Sequence, residues 1–238
     1  MTHLTAVSTV CRVASASRDS SAFLFADIAG YTALTEAHGD ADAADVAVAF
    51  CRELSEIASA RGGEVVKTIG DAVMVRHTDP SQGVELGLIA AHDVMAGHGF
   101  PAVRVGMHYG PAVGHDGDWF GATVNLAARV AAMAAGGEML VTGAVRDHVA
   151  DLPSTRLEAR GEHTVRNMAA PVELFAVLPA EGRSDRHHLD PVCRMLVDET
   201  HEAGNLRHGG TLYRFCSLEC AGRFARDPDA YAPVERGS

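Results

Sequence analysis

Residues 65–75 read VVKTIGDAVMV, two short apolar runs on either side of Gly70–Asp71. Val65–Ile69 and Ala72–Val75 therefore read as paired strands, with the glycine easing a tight turn. Upstream, Ala43, Val46, Phe50, Leu54 and Ile57 recur at helical spacing over Asp40–Ala60, and Gly62–Gly63 ends that helix. Further upstream, Ala22–Ile28 (AFLFADI) reads as a buried strand interrupted by Asp27. Downstream, Asp79–Pro80 marks a helix start, and Val84, Leu88, Ala91 and Met95 form its apolar stripe. Ala102–His108 is a strand, Thr123–Ala135 an alanine-rich helix stopped by Gly136–Gly137, and Glu138–Thr142 and Val172–Leu178 are strands. The order predicts an α+β fold, with an antiparallel sheet and its helices on one face.

The chain has 238 residues, 47% of them apolar and 21% charged, which is a globular composition. Its formal charge of −11 argues against a nucleic-acid partner, because such binding depends on neutralising phosphates. No uncharged apolar run approaches the roughly 18–20 residues that span a bilayer. The first residues, MTHLTAVSTVCRVASASRDS, lack a basic segment followed by a clean apolar core, so no signal peptide is predicted. No membrane partner and a cytoplasmic location are expected. Residues 1–20 read as a loosely held arm, 21–178 as the main domain, and 179–187 as a polar linker. Residues 188–233 read as a small module rich in cysteine, histidine and aromatics. Of five cysteines, three (Cys193, Cys216, Cys220) fall in this module, which suggests a metal site in a reducing compartment rather than a disulfide framework.

Asp27 ends a very apolar strand and Asp71 sits in a tight turn. Either alone reads as a turn or cap residue. A pair at neighbouring strand ends could hold one or two Mg²⁺ ions for phosphoryl chemistry. The sole lysine of the chain is Lys67, against nineteen arginines.

Four segments, FADIAGYT (25–32), KTIGDAVM (67–74), RVGMHYGPAV (104–113) and DWFGATVNLAARV (118–130), resemble the class III nucleotidyl cyclases in order and spacing. The resemblance covers residues 20–178 and implies a ferredoxin-like core with additions. It implies that Asp27, Asp71 and the Ile28 carbonyl bind two Mg²⁺ or Mn²⁺ ions. It implies further that Lys67 and Asp118 read the purine, that Asn125 positions the ribose, and that Arg129 stabilises the transferring phosphate. The family's late phosphate-binding lysine is matched by Arg166, a departure from the pattern. The family resemblance also implies a head-to-tail homodimer, in which one subunit supplies the aspartates and the other the purine, ribose and phosphate groups.

Chemistry argues the same way at three points. Asn125 and Arg129 are four residues apart on one helix face. Arginine holds phosphate oxygens bidentately. Lysine only donates and ionised aspartate only accepts, which complements adenine N1 and its amine, whereas guanine reverses both positions. ATP is therefore the expected substrate and cyclic AMP the product. The alternatives are a guanylate cyclase of mixed selectivity and a metal-sensing or scaffold protein with a vestigial cyclase domain.

In the tail, DPVCRM (190–195), FCSLEC (215–220) and DPDAY (227–231) resemble the YHS module, related to TRASH-type metal-binding domains. The resemblance implies that Cys193, Cys216 and Cys220 bind Zn²⁺ or copper, as a structural or a sensory site. His201 and His208 are weighed as a fourth ligand, each against being a surface histidine. His108 reads as a packed histidine, Trp119 and Phe120 as core or dimer-interface residues, and Cys51 as an apolar filler.

Overall fold

The hairpin forms as its spacing predicts: β2 (Glu64–Ile69) and β3 (Ala72–His77) pair antiparallel around Gly70, whose φ is +63°. The computed structural model describes residues 20–92, 100–149, 152–153, 155–166, 168, 170–180 and 187–231. Met95, nearly all of the predicted arm and most of the predicted linker lie outside them, as does the end of the predicted module.

β1 (Ser20–Ile28) is the central strand and pairs antiparallel with β3 and with β4 (Val103–Pro111). The sheet continues through β7 (Met139–Thr142) and β9 (Val172–Pro179) to β8 (Thr155–His163), in the order β2-β3-β1-β4-β7-β9-β8. Every pairing is antiparallel except β4 with β7. The fold is α+β, as the sequence indicates.

Buried apolar groups on both faces explain the unbroken run of β1. Leu24, Ala26 and Ile28 pack with Phe50 and Leu54 of α2 (Asp40–Ala60) and Val84 and Leu86 of α3 (Pro80–His92). Val145 and Val149 of α5 (Gly143–Val149) join the same face. Phe23 and Phe25 instead meet Val124, Ala127 and Ala131 of α4 (Ala122–Met133). The expected helices share one face except α4, which covers the opposite one. Each such phenylalanine or leucine contributes about 1.5–3 kcal/mol when fully buried. Gly106 lets α4 lie flat on β4: a Cβ there would fall 1.9 Å from the Ala131 nitrogen. Asp79 caps α3, its Oδ1 accepting from the Ser81 N–H at 2.8 Å.

Elements absent from the sequence reading are α1 (Tyr31–His38), α5, β8, and the ribbon of β5 (Val113–His115) with β6 (Asp118–Phe120). In the tail, β10 (His187–Leu189) pairs with β11 (Leu196–Asp198), and β12 (Gly204–His208) with β13 (Thr211–Phe215). α6 (Leu218–Arg226) follows. Fewer than 50 residues build a poor core alone. Here Val192, Met195, Phe215 and Phe224 share one cluster with Leu34 and Ala37 of α1 and Ala43 of α2.

Candidate active site

Two groups of polar side chains lie at the β2–β3 end of the sheet. Asp27 and Ala72 are register partners across β1 and β3, so the last residue of the β2–β3 turn, Asp71, adjoins Asp27. Burial and the neighbouring Asp27 push the Asp71 carboxyl up to about 6, against an ordinary 3.8. Arg104, cross-strand from Asp27, donates through Nε at 2.8 Å and through Nη2 to the same Asp27 oxygen. Ile28 ends β1 with its side chain buried. Cys51 of α2 also faces this corner, and its thiol is raised by burial and by Asp71 and Asp27. It is half-buried, so the reading as a small filler meets a partly polar environment.

The oxygen-only set of Asp27, Asp71 and the Ile28 carbonyl suits a hard divalent cation. The like charges of Asp27 and Asp71 give such a cation something to neutralise, so the residues present fit Mg²⁺ or Mn²⁺.

The second group is the Lys67–Asp118 pair. The ammonium on β2 lies 2.5 Å from Asp118 Oδ2 on β6. Asp118 Oδ1 accepts from the Trp119 N–H at 2.7 Å. The Lys67 hydrogen bond, helped by Trp119, holds the Asp118 carboxyl below its ordinary range. Phe120 is 52% exposed, and the Lys67 ammonium stands 5.8 Å from its ring centre. Trp119 packs on Phe23 and under the Arg76 guanidinium, whereas Phe120 stays open.

α4 starts directly after β6 and carries Asn125, exposed, and Arg129, half-buried, one turn apart. Arg129 Nη1 donates to the Arg166 carbonyl, which brings the Arg166 loop to α4. The Arg166 side chain is exposed. Among the described residues, no hydrogen bond or ion pair joins the Asp27–Asp71 group to the Lys67–Asp118 group. His108 donates to or accepts from Thr142 Oγ1 at 2.7 Å, and burial pushes it down to about 4, the behaviour of a packed neutral histidine.

The structure gathers Cys193, Cys216 and Cys220: Cys216 Sγ lies 3.4 Å from Cys193 Sγ and 3.8 Å from Cys220 Sγ. Neither histidine weighed as a fourth ligand is with them. His208 Nε2 pairs with Asp229 at 3.1 Å, and His201 is exposed beside Thr200. The residue that sequence reasoning missed in this module is Asp190. Fully buried, its carboxylate accepts from the N–H groups of Val192 and Cys216, both at 2.9 Å, and so ties the two cysteine turns together. Its only signal in the sequence is its place at the head of DPVCRM.

These features define a nucleotide-cyclase fold followed by a cysteine module. The chain belongs to the family described as the adenylate and guanylate cyclase catalytic domain, which matches residues 13–178, and residues 188–235 match the YHS domain. It is 39% identical over 155 residues to an uncharacterised Mycobacterium tuberculosis protein, covering 63% of this chain and 39% of that one. It is 34% identical over 166 residues to the pH-sensitive adenylate cyclase of the same species, covering 64% of this chain and 39% of that one. The chain thus spans about two fifths of the length of these relatives. Among solved structures, an adenylate/guanylate cyclase/hydrolase from Silicibacter pomeroyi superposes with a TM-score of 0.61 at 28% identity, covering 67% of this chain and 96% of that one. No described helix is long and apolar enough to cross a membrane.

Proposed function

We propose that the protein is an adenylate cyclase, closing ATP to 3′,5′-cyclic AMP with release of pyrophosphate. The observation that carries this reading is the Lys67–Asp118 pair, a donor and an acceptor 2.5 Å apart on a half-open surface. Opened by a purine, the pair offers its donor to adenine N1 and its acceptor to the amine. Guanine would meet a donor with a donor and an acceptor with an acceptor.

In the reaction, the ribose 3′-oxygen bonds to the α-phosphorus, the bond to pyrophosphate breaks, and the hydroxyl proton passes to solvent water. Asp27, Asp71 and the Ile28 carbonyl would hold two Mg²⁺ or Mn²⁺ ions, which would supply the acidification of the hydroxyl and the neutralisation of the triphosphate. Asn125 orients the ribose. Arg129 meets charge that grows on the transferring phosphate, and Arg166 is the candidate to bind the outer phosphates in place of the family's lysine.

The complete site is shared across a head-to-tail homodimer, with Asp27 and Asp71 from one subunit facing Lys67, Asp118, Asn125 and Arg129 of its partner. Two features support this: among the described residues no hydrogen bond or ion pair joins the two groups within one chain, and exposed Ile69, Val113 and Phe120 sit on the strands bearing or flanking Lys67 and Asp118. Use of ATP fits a cytoplasmic location.

The test is product formation from ATP and from GTP, with Mn²⁺ or Mg²⁺, by wild type and by Asp71→Ala. Cyclic AMP from wild type alone supports the reading. Cyclic GMP as the main product would transfer it to guanylate cyclase. No product from either nucleotide would favour a vestigial domain.

A further inference from the structure

His38 is the last residue of α1 in the cyclase domain, yet its ring stands among the tail-module sulfurs. His38 Nε2 is 3.7 Å from Cys216 Sγ and 3.9 Å from Cys220 Sγ. All four ligand atoms, with Cys193 Sγ, lie within 4.8 Å of one another. A tetrahedral zinc ion, with Zn–S about 2.3 Å and Zn–N about 2.0 Å, sets ligand edges of about 3.8 Å between sulfurs and about 3.6 Å from sulfur to nitrogen. The sulfur separations of 3.4 and 3.8 Å and the sulfur–nitrogen separations of 3.7 and 3.9 Å match that cage. A disulfide would need sulfurs about 2.05 Å apart, and these cysteines are free.

We infer that Cys193, Cys216, Cys220 and His38 together hold one Zn²⁺-like ion, which clamps helix α1 of the cyclase domain to the tail module. Three thiolates and an imidazole select a borderline-to-soft cation over Mg²⁺. The cage is supported from behind: Asp190 fixes the Cys193 and Cys216 turns, and Ser217 Oγ accepts from the Cys220 N–H at 3.1 Å. Further contacts hold the same two parts together. Arg223 Nη1 donates to the Glu36 carbonyl at 2.7 Å, and Leu34 and Ala37 share the Phe215–Phe224 cluster.

The clamp reaches toward the candidate active site along one short segment. α1 begins at Tyr31, three residues after Ile28. Gly30, between them, has φ +87°, and a Cβ there would fall 2.7 Å from Cγ of Arg194, the neighbour of Cys193. On the proposed cyclase reading, the ion therefore fixes the stretch that leads out of Asp27 and Ile28, at a site separate from the catalytic cations.

The test uses the full chain loaded with Zn²⁺. X-ray absorption at the zinc edge is expected to show three sulfur neighbours and one imidazole nitrogen. Competition with a chromophoric chelator is expected to give one tight Zn²⁺ per chain, weakened at least tenfold in His38→Ala and unchanged in His208→Ala. His38→Cys should restore tight binding, and with Co²⁺ its visible bands should move to lower energy as sulfur replaces nitrogen. Removal of zinc should speed amide exchange in residues 31–38 several-fold. A zinc edge without imidazole, or His38→Ala binding as tightly as wild type, overturns the clamp. The absorption edge reads the ligands whether or not nucleotide is turned over, so failure of the cyclase reading and failure of the clamp are separate results.

Discussion

Lys67 Nζ and Asp118 Oδ2 lie 2.5 Å apart across 51 residues of chain, joined by the approach of ribbon β5–β6 to strand β2. The chain's only lysine thus meets the Asp118 carboxylate, the pair that the proposed function assigns to the purine. Loss of either partner should remove discrimination rather than fold. Lys67→Ala is expected to lower kcat/KM for ATP at least tenfold and to bring the ATP-to-GTP ratio toward one. Exchange of roles, with Lys67→Glu and Asp118→Lys together, should favour GTP. Steady-state kinetics with both nucleotides checks this, and an unchanged ratio in Lys67→Ala would remove the pair from purine recognition.

On the proposed cyclase reading, Asp71 sets function against stability. Its carboxyl is pushed up to about 6, first by burial and then by Asp27. Asp71→Asn removes that like-charge contact. In divalent-free buffer at pH 7 the variant should be as stable as wild type or more so, by about 1 kcal/mol after allowance for its partial exposure. Turnover should nonetheless fall at least a hundredfold. A thermal melt and an activity assay on one preparation test both halves, and a large drop in melting temperature would contradict the first.

Much of this corner is legible in the sequence because its signals are local. The Asp40–Ala60 helix has the predicted bounds, and the β2–β3 turn falls at Gly70–Asp71. What is lost is set by distant packing. α1 is eight residues long with only Leu34 and Ala37 buried, so its apolar period is too short to read. α4 occupies the second face because Gly106 opens a flat seat on β4, and one glycine in RVGMHYG does not announce a helix. His38 lies 155 residues before Cys193, the difference of their positions, so no ligand spacing could mark it.

The seat at Gly106 gives a second stability prediction. A Cβ would stand 1.9 Å from the Ala131 nitrogen and 2.4 Å from its Cα, and helix backbone cannot yield as a side-chain tip can. Gly106→Ala should destabilise the domain by about 3 kcal/mol or more as α4 is forced off the sheet. Denaturant unfolding measures it. A cost below about 1 kcal/mol would mean that α4 moves freely over β4.

His108 predicts an acid limb in stability. Burial pushes its ring down to about 4 from an ordinary 6.5, so the folded state binds its proton less readily than the unfolded chain. The stabilising contribution is therefore present above about 6.5 and is lost as pH falls through that value toward 4. Partial exposure reduces the loss to about 1–2 kcal/mol. His108→Asn, which can still bond to Thr142 Oγ1, should flatten the slope between pH 6.5 and 4.5. Melts at several pH values check this, and equal slopes would assign the acid limb to other groups.

Leu34 and Phe224 come from opposite ends of the chain, and each is only 1% exposed within one cluster. Neither part of the protein buries this cluster alone, so the tail module and α1 should stabilise each other. Phe224→Ala should cost about 3–5 kcal/mol of module docking, and Leu34→Ala about 2–4 kcal/mol. If the cluster is one unit, the double variant costs less than the sum, because the second truncation acts on a module already loosened. The main sheet should hardly change, since its own core around Phe50 and Leu54 is a separate cluster. Limited proteolysis across residues 179–187 reads docking, and far-ultraviolet circular dichroism reads the sheet. Additive costs with no gain in cleavage would show that the module stands without α1, and the cluster would then be a contact rather than a joint core.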